Sequence, residues 1–243
     1  RWPWPRSMAE QMSIIENMGK AVGRHEKARR YVSYYRDTIE RVRSRTAAIP
    51  EDERVRLYHA VNEPNRTDAA GTIEADWTKT VGVVNVSVSS ELKESGGKHF
   101  ANIEQILLWN PDVIIVNEDG VDRRILTDPK WSPIKAVKTR KVFAIPVGIS
   151  RWGHPGGLET PLAILWTAKK VYPSRFADVD LKAEVRQFYK TFFGLSLDDD
   201  MIDRIRESET FNQGFKTTEY LAATRLDMAW HLLETDEEQD VES

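Results

Sequence analysis

The sequence predicts a three-layer α/β fold, with a small, mainly parallel, doubly wound sheet preceded by a long helix and followed by several helices. Three observations carry this. Short apolar runs at 54–61 ("RVRLYHAV"), 113–116 ("VIIV") and 141–145 ("KVFAI") alternate with helix-like segments, as parallel strands joined by crossover helices do. The run Val113–Val116 is continuously apolar, the mark of a strand buried on both faces. Each run leads into a polar or glycine-rich loop: "NEPNR", "NEDG" and "PVGISRWGHPGG".

The elements follow in order. Residues 8–46 read as one helix, softly interrupted at Gly19 and Gly23, because Ala28, Val32, Tyr35, Ile39 and Val42 recur at steps of four and three. Pro50 ends it. After the strand at 54–61, a helix is expected over 72–80, and "VGVVNVSV" reads as a second short strand. Residues 90–100, with Gly96 and Gly97, read as loop. A helix over 101–109, the strand at 113–116, a proline-punctuated helical stretch around 129–137 and the strand at 141–145 come next. Helices at 157–171, 179–193, 197–208 and 215–234 complete the chain, with Asp198–Asp200 as a helix N-terminus. The terminal "ETDEEQDVES" reads as a disordered acidic tail. No internal repeat is visible.

Composition excludes several functions. Lys and Arg (35) nearly balance Asp and Glu (38), so the polycationic footprint of nucleic-acid binding is missing. The absence of cysteine removes disulfides, thiolate metal sites and cysteine nucleophiles. No run approaches the roughly 18 apolar residues of a membrane span. No signal peptide is readable, and the chain opens on Arg1 rather than Met, as a processed form or a fragment does. "SGGKHF" lacks the spacing of a phosphate loop, and neither a G-x-S-x-G elbow nor an H-E-x-x-H pair occurs. A binding function fits better than an enzyme.

In open α/β sheets the ligand lies outside the carboxyl ends of the strands. That places the candidates on three loops: Asn62, Glu63, Asn65 and Arg66 on the first, Glu118 and Asp119 after Asn117 on the second, and Arg151, Trp152 and His154 on the third. A cation, a flat aromatic face and an imidazole on a glycine- and proline-rich backbone suit an anionic or planar ligand. Two of these residues have equally ordinary readings: Trp152 as a lid on the domain's own core, and His154 as an exposed or capping residue. The remaining histidines, His25, His59, His99 and His231, lack the short spacing of a zinc site, and no metal site is readable.

Three segments, "NIEQILLWNPDVIIV", "LTDPKWSPIKAVKTRKVFAIP" and "LETPLAILWTAKKVYPSRFADVDLKAEVRQFYKTFFG", together resemble the substrate-binding proteins of ABC importers for iron complexes: ferric siderophores, haem and cobalamin. The resemblance covers roughly residues 10–208. It implies two α/β lobes joined by a long helix with the ligand held between them, and it divides this chain into a connecting helix (1–50), a C-terminal lobe (51–208) and an added C-terminal helix with its acidic tail (209–243). The amino-terminal lobe is then expected to be missing, which exposes a surface and implies self-association of the chain. The resemblance further implies an iron-chelate ligand with no intrinsic cofactor, and an extracytoplasmic location with an anchor upstream. Glu104 matches the carboxylate that such lobes dock against the membrane permease; read alone, it is an ordinary exposed helical glutamate. Two other classes stay open: a chelatase-like enzyme pairing His154 or His59 with Glu63 or Glu118, and an interaction module that dimerises through its helices.

Overall fold

Strands β1 (Arg56–Ala60), β2 (Arg66–Thr67), β3 (Val84–Asn85), β4 (Lys93–Ser95), β5 (Lys98–Phe100), β6 (Val113–Val116) and β7 (Val142–Ala144) form one seven-stranded sheet. The computed structural model describes residues 4–88 and 91–207. Parallel pairing joins β3 to β1, β1 to β6 and β6 to β7; the short β2, β5 and β4 add antiparallel strands beyond the end of β1. The predicted fold class is therefore the observed one.

Alternation along the strands builds the three layers. Leu57, Val113 and Ile115 turn to one face and Tyr58, Ala60, Ile114 and Val116 to the other. The first face is covered by helices α1 (Met8–Ala21), α2 (His25–Thr46), α3 (Ile73–Val81), α7 (Thr160–Val171), α8 (Leu181–Phe193) and α9 (Asp199–Glu207). The second is covered by α4 (Ile103–Trp109), α5 (Val121–Thr127) and α6 (Lys135–Lys138), with Trp131 in a short 3₁₀ turn. Side chains aimed at helix starts fix the boundaries: Thr72 accepts from Ala75 N, Asn102 from Gln105 N, Asp180 from Lys182 N and Asp198 from Met201 N.

The elements depart from the expected ones at several points. The helix expected over 8–46 is two helices, because Gly23 takes φ +67° and turns the chain back. Gly19 then lies so close to Ala28 that a Cβ there would overlap it, while Gln11 meets Tyr35. The 90–100 loop contains a hairpin, β4 to β5, turning on Gly96 and Gly97, both at positive φ. Helix α5 was not expected, and the 129–137 stretch divides into the 3₁₀ turn and α6. The 215–234 helix and the acidic tail lie outside the described residues. No helix among the described residues is long and apolar enough to cross a membrane.

Candidate functional site

The parallel part of the sheet runs β3-β1-β6-β7, so the chain leaves β1 in one direction and later returns to its other side. The switch point is therefore the crevice between the ends of β1 and β6. Asn62 follows β1 in the left-handed region, at φ +68°, a conformation asparagine tolerates. Its N–H donates to Asn117 Oδ1 at 2.7 Å, tying the two loops together across the switch point.

The third loop enters from β7. Val147 bridges back to Arg151, and Gly148 donates to Ser150 O, making a tight reversal. Glycine is required at 148, where a Cβ would overlap the Tyr189 hydroxyl. Glu159, buried at the head of α7, accepts from Ser150 N and Oγ and from the Tyr189 hydroxyl. Burial pushes its carboxyl above the usual range, against those hydrogen bonds. From the other side, Gln11 Nε2 donates to the carbonyls of Pro155 and Gly157, and the Tyr31 hydroxyl to that of Leu158. The loop is thus gripped by α1, α2, α7 and α8.

On this rigid support Arg151 Nη1 donates to Asn62 Oδ1 at 2.9 Å and to Glu118 Oε2 at 2.7 Å. Asn62, Asn117, Glu118 and Arg151 therefore form one cluster drawn from the ends of β1, β6 and β7. The other predicted residues fall elsewhere. Glu63 is exposed in the turn after Asn62, and its carbonyl accepts from Arg66 N. Asn65 is tied to Ala101 by two hydrogen bonds and Arg66 pairs with β5, so both build the sheet margin. Asp119 stands 3.6 Å from Arg123.

Trp152 is 2% exposed and belongs to the core, which makes it the lid of the alternative reading rather than a stacking face for ligand. His154 accepts from Gly156 N through Nδ1 and meets the Trp4 ring edge-on, a capping role. Burial, with Arg151 nearby, holds its pKa below the ordinary histidine value.

Around His59 of β1 lies a buried polar network, of which the sequence pointed to His59 alone. His59 Nδ1 is 2.8 Å from Asp68 Oδ2, which also accepts from Asn85; Asn85 in turn bonds Thr78 and Ser87. Burial opposes charging of His59, but the charge and hydrogen bond of Asp68 outweigh it and raise its pKa. Glu74, on α3, is pushed up to about 7 by burial and by Asp68. The available signal was a histidine placed inside an otherwise apolar strand. His59 is turned to Asp68 and His154 to Gly156, and no hydrogen bond or ion pair joins either of them to Glu63 or Glu118, the pairing of the chelatase alternative. Among the described residues no group of three or more His, Asp or Glu is placed to hold a metal ion.

The sheet topology thus gathers polar side chains from three loops at the switch point. Residues 5–147 match the family described as periplasmic binding protein, and the chain belongs to that family. Among its relatives is the molybdate-binding protein MolA of Haemophilus influenzae, 35% identical over 154 residues, which are 63% of this chain and 42% of MolA. The structure of MolA bound to molybdate superposes with a TM-score of 0.68 at 29% identity, covering 78% of this chain and 57% of MolA. A periplasmic solute-binding protein from Veillonella parvula gives 0.71 at 27% identity, over 86% of this chain and 64% of its own. An ABC transporter solute-binding protein from Sulfurospirillum deleyianum gives 0.73 at 24%, over 83% and 62%, and speaks for the fold alone. The chain spans about half the length of the curated relatives it matches. These homologues are solute-binding proteins and not enzymes.

Proposed function

We infer that this chain is a ligand-capturing lobe of the solute-binding component of an ABC importer, acting outside the cytoplasm, and that its cargo is a metal complex bearing anionic oxygens, of the iron-complex kind. The observation that carries this reading is Arg151. Its Nη1 is committed to Asn62 and Glu118, while Nε and Nη2 donate to no described residue. That edge is the fork with which arginine grips two oxygens of one ligand. It sits at the switch point, where such sheets take their ligands.

Molybdate is the second reading, favoured by the 35% identity to a molybdate-binding protein. Glu104, exposed in the first turn of α4, with Leu108 84% exposed one turn later, supports a docking contact for the permease on the outer face. Binding by the full gene product that contains this chain, titrated with haemin, ferric siderophores, cobalamin and molybdate, tests the capture reading. Saturable binding by one of them, weakened at least about tenfold by Arg151→Ala, is the expected result. Binding to none of them removes the reading. Glu104→Arg is expected to leave that affinity intact and to lower uptake in cells.

A further inference from the structure

The charge of the cluster is balanced before any ligand arrives. Two acceptor oxygens, Asn62 Oδ1 and Glu118 Oε2, face one guanidinium nitrogen of Arg151. Glu63 adds an exposed carboxylate in the adjoining turn. His154, whose pKa is held low, brings no positive charge at neutral pH. Asp119 is offset by Arg123. A pocket made for a bare oxyanion surrounds its ion with N–H donors and withholds acceptors, since an acceptor facing an anion is repelled and loses its water as well. Here a carboxylate stands beside the one cation of the cluster.

We propose that Glu118 is the charge selector of this site: an internal counter-ion on Arg151 that admits ligands offering acceptor oxygens together with positive charge or hydrogen-bond donors, and rejects a bare dianion. This rests on the reading of the chain as a solute-capturing lobe. A ligand dianion that reaches the free Nε–Nη2 edge of Arg151 also comes within the field of Glu118, and its second negative charge is repelled. A metal chelate meets both groups favourably, presenting ligand oxygens to the guanidinium and a cationic or N–H face to the carboxylate. Specificity then comes from a repulsive element as much as from an attractive one. The Arg151 side chain is 29% exposed and that of Glu118 48%, so the pair is open to an incoming ligand rather than locked in the interior.

The test compares wild type with Glu118→Gln, which keeps the shape and removes the charge, in calorimetric titrations of the full gene product. One probe is molybdate; the other is a ferric trihydroxamate carrying one positive charge. The expected result is that Glu118→Gln tightens or creates molybdate binding by about tenfold, while the cationic chelate loses affinity. Molybdate binding that is unchanged or weakened in Glu118→Gln overturns the selector and leaves the capture reading in place. If the wild-type protein binds no chelate or oxyanion in the wider titration, the capture reading fails and the selector falls with it.

Discussion

Adjacent residues of the third loop do opposite work. Arg151 reaches into the cluster, whereas Trp152 is buried in the core with Gly153 against the Trp77 ring. Trp152→Ala is therefore expected to cost about 3–5 kcal/mol of stability, against about 0.5 kcal/mol for Arg151→Ala, as read by urea denaturation. Glu74 supplies a pH dependence. Its folded pKa, about 7, is raised above the ordinary value of 4.5, so its contribution is complete below that value and is lost as pH rises through 7. Because Glu74 is only half-buried by its surface, the full shift is discounted, and wild type should lose about 1–2 kcal/mol more than Glu74→Gln between pH 5 and pH 8. The facing groups are His59, Asp68 and Arg66; His59, also raised, works in the same direction. At this scale loop polarity and strand ends placed Arg151, Glu118 and Asn62 at the ends of strands, where the structure brings the three together. It was silent on Glu159 and Gln11, whose partners lie 9, 30, 144 and 146 residues away.

The elements show how far local pattern reaches. Strand β6 was legible because burial on both faces leaves a continuous apolar run, and β1 and β7 because each short apolar run leads into a polar or glycine-rich loop. The α1–α2 turn was marked only by Gly19 and Gly23, since apolar residues continue at helical spacing on both sides. The β4–β5 hairpin carried a readable two-glycine turn, but its strands are only three residues each and largely exposed, without the apolar alternation that reveals a strand. The α1–α2 contact has a sharp test. Gly19→Leu places a side chain against Ala28, and separating the helices withdraws Gln11 from Pro155 and Gly157. The expected outcome is a loss of about 1–3 kcal/mol together with faster amide exchange at Gly157, measured by NMR.

Across the whole molecule, one sheet serves two cores. Trp77, Trp152 and Trp166 lie in the layer of α1, α2 and α7, and Trp109 and Trp131 in the layer of α4 to α6, with β1 and β6 contributing alternate residues to both. Neither layer can lose its packing without exposing the strands that hold the other. Urea denaturation of the unaltered chain followed by the NMR signal of Trp77 in one layer should therefore give the same midpoint as that followed by the signal of Trp131 in the other. The doubly wound arrangement was legible in the order of strands and helices alone. The cluster at the switch point was not, because it depends on how three loops, about 90 residues apart at the extremes, set Arg151 beside Glu118 and Asn62.

The neighbouring placement of Trp152 and Arg151 bears on how this face of the molecule can change over time. Folding is secured by Trp152, Gly148 and Glu159, while the pair Glu118–Arg151 is made of side chains whose removal leaves that support standing. Substitution at positions 118 and 151 is thus nearly free of folding cost, and the surface at the switch point can change while the fold beneath it stays intact.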